Sequence, residues 1–154
     1  MVTSRSCSTR SHRFLVCIAF FLGLTVPAGA DIRYEYALGG FDSVAFQVDH
    51  RPRVGDETYQ VDWGGRLWLF ANRGNMAAFK QAPEVYAPQF TGCDPYALAQ
   101  GVKAQGLPRA FAVHDDRLYL FSLRANRFLF LAAPEEIIGL AHENAEKVDC
   151  DRFR

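Results

Sequence analysis

Arg66-Leu67-Trp68-Leu69-Phe70 returns almost unchanged as Arg117-Leu118-Tyr119-Leu120-Phe121. At the same offset of 51 residues Arg73 meets Arg124, Asn75 meets Asn126, Phe79 meets Phe130, and Ala82-Pro83-Glu84 meets Ala133-Pro134-Glu135. From Arg66 to Glu84 ten of nineteen positions are identical, far above coincidence. One residue of slippage extends the match backwards, where Gly40-Phe41-Asp42-Ser43-Val44-Ala45 lies against Gly92-Cys93-Asp94-Pro95-Tyr96-Ala97. The chain is one unit written twice. A feature present in both copies is explained first by folding, because an active site rarely needs two.

Each copy carries the same local signals. Tyr59 to Trp63 alternates apolar and polar residues, as a half-buried strand does, and Gly64-Gly65 supplies the positive φ of a tight hairpin turn. Arg66 to Ala71 is the returning strand, with Leu67, Leu69 and Ala71 on one face and Trp68 and Phe70 on the other. Asp42 and Asn72 stand where N-caps belong, before a helical turn at Val44-Ala45-Phe46 and before a helix through Met76, Phe79 and Lys80. Pro83 opens a further helical turn. In the second copy Asp94-Pro95 opens a helix stopped by Gly101. Phe111-Ala112-Val113 is the outgoing strand, Asp115-Asp116 the turn, and Arg124 to Leu131 the helix. Pro134 to Val148 places Ile137, Ile138, Ala141 and Ala145 at helical spacing, with acids in the first turn and Lys147 in the last. Ile32, Tyr34 and Tyr36 alternate in the lead-in, as an edge strand or ordered arm would. The fold class is α+β: two tandem repeats of helical turn, β-hairpin and helix, about 40–90 and 91–148, packed into one domain with antiparallel sheet. Arg66 and Arg117, at the start of both return strands, are expected to pair with Asp42 and Asp94.

The first thirty residues stand apart. A basic lead (Arg5, Arg10, Arg13) precedes thirteen residues of apolar character from Phe14 to Val26, and Ala28 and Ala30 occupy −3 and −1 of a cleavage site. This is the pattern of a secretory signal peptide, 1–30. Its apolar run falls short of the roughly 20 residues a membrane span needs. Cleavage leaves 124 residues with 14 basic and 17 acidic side chains, a net charge of −3. That balance argues against nucleic acid as a partner, and no second apolar segment suggests an integral membrane anchor. The expected location is the periplasm or the extracellular space.

These landmarks resemble the YHS domain family in its small exported bacterial members. The resemblance rests on Gly40-Phe41-Asp42-Ser43-Val44-Ala45-Phe46, on Trp63-Gly64-Gly65-Arg66-Leu67-Trp68-Leu69-Phe70-Ala71, and on Asn75-Met76-Ala77-Ala78-Phe79. It continues through Pro83-Glu84-Val85-Tyr86-Ala87-Pro88-Gln89-Phe90, Gly92-Cys93, Tyr96-Ala97-Leu98-Ala99-Gln100-Gly101 and Arg117-Leu118-Tyr119-Leu120. It implies a metal-binding or redox role, with a transition-metal ion as cofactor, centred on a cysteine after the Pro-Gln-aromatic segment. Asp94 stands at the position where relatives carry that cysteine, and Cys93 stands one residue earlier.

Of the four cysteines only Cys93 and Cys150 follow the signal segment. A Cys93–Cys150 disulfide, a reactive or metal-bound Cys93 and an inert thiol are all open. Metal ligands would come from Cys93, Asp94 and His114, but no pair has tight ligand spacing and a site would need tertiary convergence. His114 at the hairpin end suits a packing or turn role, and His142, beside Glu143 and near Glu146, suits a solvent-facing one. No nucleophile elbow, phosphate-cradling loop or acid–base pair is visible. Three functions follow: an exported module binding a metal ion, a thiol-based redox protein using Cys93, or a structural and interaction domain held by the disulfide. Metal, substrate and partner stay unnamed.

Overall fold

Three successive residues with positive φ begin each repeat, a conformation L-residues avoid at about 1–2 kcal/mol each. They are Leu38, Gly39 and Gly40 (55°, 60° and 83°) in the first copy and Phe90, Thr91 and Gly92 (52°, 53° and 88°) in the second. The computed structural model describes residues 36–148 and Cys150. Residues 1–30, which the sequence leads one to expect as a signal peptide, and the lead-in up to 35 lie outside the described residues. The first repeat runs from a turn at Ala37–Gly40 through α1 (Ala45–Val48), β1 (Asp56–Trp63), β2 (Arg66–Phe70) and α2 (Arg73–Gln81) to α3 (Pro83–Tyr86). The second runs from a turn at Gln89–Gly92 through α4 (Pro95–Ala99), β3 (Leu107–His114), β4 (Arg117–Phe121) and α5 (Arg124–Ala132) to α6 (Pro134–Val148). The architecture is α+β, as the sequence leads one to expect.

The left-handed turns are pinned identically on both sides. A parallel bridge joins Tyr36 to Leu67 and Pro88 to Leu118, and an antiparallel bridge joins Phe41 to Val54 and Cys93 to Gln105. The Gly40 carbonyl accepts from Gly55 N–H at 2.8 Å, and the Gly92 carbonyl from Gly106 N–H at 2.9 Å. Gly55 and Gly106 are needed for this close approach. A Cβ would lie 2.6 Å from the Leu69 carbonyl carbon in one copy and 2.7 Å from the Leu120 carbonyl carbon in the other.

Both hairpins are antiparallel, with Trp63 opposite Arg66 and His114 opposite Arg117, and both are irregular at the same place, between Asp56 and Gln60 and between Leu107 and Phe111. They form two separate two-stranded sheets and do not join. The outgoing strand of the second copy begins at Leu107, four residues earlier than Phe111. Apolar alternation is a weak guide there, since Pro108 and Arg109 interrupt it. The turn residues Gly64 and Gly65 have φ of 60° and 73°, and Asp115 and Asp116 have 47° and 55°. Positive φ at both centres is what a primed hairpin turn requires.

Each hairpin lays one face on its own helix. Trp68 and Phe70 pack with Phe79, Val44 and Ala87 in the first copy, and Tyr119 and Phe121 with Phe130 and Ile137 in the second. The copies join where Phe46 of α1 is buried against Leu118 and Leu120 of β4, with its ring edge-on to Phe111 at 4.9 Å. Burying such a ring contributes about 1.5–3 kcal/mol. Polar ties flank this seam: Gln47 Nε2 donates to Val85 O and Asp116 O, and Arg117 Nη1 donates to Glu84 O.

The deepest polar groups are Asp42 and Asp94, both fully buried. Asp42 Oδ1 accepts from the Val44 and Ala45 amides at 2.9 and 3.2 Å, and its Oδ2 accepts from the Ala71 amide at 2.8 Å and Asn75 Nδ2 at 2.6 Å. Asp94 Oδ1 accepts from the Tyr96 and Ala97 amides at 2.9 and 3.2 Å. Its Oδ2 accepts from the Ser122 amide, Ser122 Oγ and Asn126 Nδ2 at 2.8, 2.7 and 2.7 Å. One carboxylate thus caps a helix with one oxygen and fastens the end of the hairpin and the next helix with the other. The expected pairing of Arg66 and Arg117 with these acids does not form. Neither arginine is among the donors; backbone amides and an asparagine already fill both oxygens, and Arg117 reaches Glu84 O instead. Ser43 Oγ is buried without a partner, whereas Pro95 in the second copy has no such group to satisfy. Among the described residues no helix is long and apolar enough to cross a membrane.

Asp94→Ala and Asp42→Ala are each expected to lower stability by about 3–4 kcal/mol, since several buried donors lose their acceptor at roughly 1–3 kcal/mol apiece. Urea unfolding should register a lower midpoint with an unchanged slope; a loss below about 1 kcal/mol would contradict this role. Asp116→Gly is expected to raise stability by about 0.5–1 kcal/mol, because it creates the Asp-Gly pair favoured at this turn. The Gln47 bond survives that change, because it is made to the backbone carbonyl.

Candidate functional site

Cys93 follows the second left-handed turn, where its amide donates to Phe90 O at 3.0 Å. The turn and the capped helix α4 hold its side chain inward, 2% exposed, and the structure pairs it with Cys150, which is 8% exposed. The two Cα atoms are 6.3 Å apart across 57 residues of sequence. Leu98 and Ala141 complete this cluster, so the bridge fastens the chain beyond α6 to α4. Closing a loop of this length contributes about 4 kcal/mol on the chain-entropy account. Thiol chemistry needs an accessible thiolate, and the paired, buried sulfur offers none.

Asp94 lies beside Cys93 in sequence, but its two oxygens serve five donors of the fold. A metal at this place would have to displace amide hydrogen bonds inside a closed core. The pair does not suit a metal ion there. His114 is placed elsewhere, at the end of β3. Its Nε2 lies 2.8 Å from Glu135 Oε1 and 3.8 Å from Asp115 Oδ2. Among the described residues, the group of three whose ligand atoms fall within 4.8 Å of one another is His114, Asp115 and Glu135, and neither Cys93 nor Asp94 belongs to it. His50 is exposed just beyond α1. His142 is exposed on α6, with its ring 4.7 Å from that of Phe90.

The hairpin end is electrostatically negative. Burial raises the pKa of Tyr119 above the ordinary tyrosine value, and the Glu135 carboxylate pushes it the same way; Arg117 pulls against them, and Asp115 adds the smallest push upwards. At the opposite edge of the molecule's first hairpin, Tyr36 is raised by its hydrogen bond to Glu57, and Asp56 is lowered by accepting from Thr58. Asp56 is exposed and Tyr36 half-buried, and both belong to ordinary surface.

The helices after the two hairpins differ most on their outer sides. Where α2 and its cap have Asn72, Ala77, Ala78 and Lys80, the second copy has Leu123, Phe128, Leu129 and Leu131. The latter four are 61%, 66%, 47% and 44% exposed. Large apolar side chains left in water at one short helix, where the twin has two alanines, an asparagine and a lysine, point to a contact surface.

Two sets of residues escape a reading of the sequence. Asn75 and Asn126 recur at the 51-residue offset of the repeat, one residue short of that between the aspartates they bind, and that recurrence is the signal that finds them. Arg109, brought by β3 next to α5, has no such signal, because only the strand–helix packing places it near Arg124 and Arg127. Comparison with known proteins returned no matching family model, no matching curated protein and no matching solved structure.

Proposed function

We propose that this chain is an exported, YHS-like two-repeat module that acts by binding and not by catalysis. The observation that carries this reading is the commitment of its chemically distinctive residues to the fold: Cys93 is buried and paired with Cys150, and the oxygens of Asp94 are filled by structural donors. What remains available is surface, and the second repeat carries the apolar part of it at Phe128, Leu129 and Leu131. A disulfide of this kind persists in oxidising compartments, which supports the periplasm or the extracellular space. The YHS-like motifs supply the same scaffold in both halves, and the redox reading through Cys93 is the weaker alternative.

A second reading keeps the metal but moves it. The convergence of His114, Asp115 and Glu135 favours a divalent ion at the end of the second hairpin, held by one imidazole and two carboxylates.

A free-thiol count on the exported protein tests the first reading. No free thiol in the native protein and two after denaturation and reduction are expected, and the Cys93→Ser/Cys150→Ser variant should lose about 4 kcal/mol of stability. Two reactive thiols in the native protein would overturn it in favour of Cys93 chemistry. Metal analysis of the same sample, repeated with His114→Ala, addresses the second reading: stoichiometric metal lost on substitution supports it, and metal below stoichiometry in the parent protein rejects it.

A further inference from the structure

Between β3 and the N-terminal half of α5 lies a cleft of about 210 Å³ lined by Arg109, Ala110, Phe111, Arg124, Arg127 and Phe128. Three guanidinium groups line it and no carboxylate does. None of them is in an ion pair among the described residues, where the pairs are Arg53 with Asp49 and His114 with Asp115 and Glu135. Arg127 spends its Nε on Phe111 O, which leaves both terminal nitrogens as donors. Arg109 lies over the Phe41 ring, 5.6 Å from its centre, an arrangement that holds the group without neutralising it.

Comparison of the two repeats separates this cleft from the requirements of the fold. The positions of Arg109, Arg127 and Phe128 are Thr58, Met76 and Ala77 in the first copy; only Arg124 has an arginine counterpart, Arg73. The helix ends differ as well. Asn72 caps α2 by accepting from the Asn75 amide, whereas Leu123 gives α5 no side-chain cap. The second copy has therefore gained positive charge and lost the acceptor at one end of the same helix. Arg109 and Arg124 are exposed and Arg127 half-buried; neighbouring cations without counter-charge repel one another, and a bound anion relieves that repulsion.

We infer that this cleft binds a small carboxylate carried on an apolar body, the carboxylate between Arg109, Arg124 and Arg127 and the apolar part along Phe128. The guanidinium fork matches a carboxylate in two parallel hydrogen bonds. The cleft is smaller than the roughly 300–1,000 Å³ of pockets that enclose a whole ligand, so it takes the head while the rest lies on Phe128, which is 66% exposed, and towards Leu131, which is 44% exposed. The positive charge is local in a chain whose net charge beyond residue 30 is −3, which fits a small anion better than a polyanion. This inference rests on the reading of the protein as a binding module.

Titration calorimetry on the oxidised full-length exported chain tests it, with octanoate as the probe and octanamide and inorganic phosphate as controls. Saturable binding of octanoate is expected, about tenfold or more tighter than either control. Arg124→Ala, at an exposed position, and Arg109→Thr, the residue of the first repeat, should each weaken octanoate about tenfold. Phe128→Ala should weaken octanoate and leave phosphate unchanged. Absence of saturable octanoate binding, equal binding of octanamide, or tighter binding of phosphate would overturn the proposal, as would arginine variants that fold normally by circular dichroism and bind octanoate like the parent. The thiol count is indifferent to these results, so failure of the cleft and failure of the binding-module reading remain distinguishable.

Discussion

A carboxylate buried away from water is costly unless every lone pair finds a donor, and this molecule builds itself twice around that requirement. Asp42 and Asp94 each take two amides of a following helical turn on one oxygen. On the other they take the amide just after a hairpin and an asparagine one turn into the next helix. Two stretches of chain, 29 residues apart in the first copy and 28 in the second, are thereby tied at one carboxylate. The left-handed turn before each aspartate and the glycine that closes against it, Gly55 or Gly106, set the angle at which the carboxylate enters. Hydrophobic burial supplies most of the stabilising free energy, but it is non-directional. The aspartates decide which helix meets which strand.

Duplication then leaves the two copies free to differ where the fold does not need them. The first keeps a capped, polar α2 and a four-residue α3; the second carries an apolar α5 and a fifteen-residue α6 locked down through Cys93 and Cys150. The disulfide belongs to this divergence, since Phe41 stands where the second copy has Cys93. So do Arg109 and Arg127 of the cleft, and Asp115 and Asp116 of the hairpin turn, for which the first copy has Gly64 and Gly65. Function is best sought in these asymmetries. What both halves share answers to folding.

The repeat, the hairpins and nearly every helix boundary are legible in the chain because they are written in local signals: alternation at Tyr59 to Trp63, glycines at 64 and 65, caps at Asp42, Asn72 and Asp94. Local signals also explain the misreading of Arg66 and Arg117. Opposite charges at repeated positions invite pairing, yet a carboxylate already filled by amides in a closed core has no place for a guanidinium. The left-handed run at Phe90-Thr91-Gly92 is unreadable from composition, since only its last residue is glycine. The separation of Cys93, Asp94 and His114, and the gathering of His114 with Glu135, depend on how α6 packs beside the second hairpin. Spacing in sequence carries no trace of that.

The central claim is that the two buried aspartates, through their backbone donors, hold each repeat together. Native-state hydrogen exchange at the Ala71 and Ser122 amides tests it most directly. Each donates to an aspartate oxygen at the first residue beyond its strand, a position where a chain end ordinarily frays. Exchange of both amides only through global unfolding, with the same free energy as the core strands, is the predicted result. Exchange through local opening, at free energies near those of exposed loops, would contradict the account.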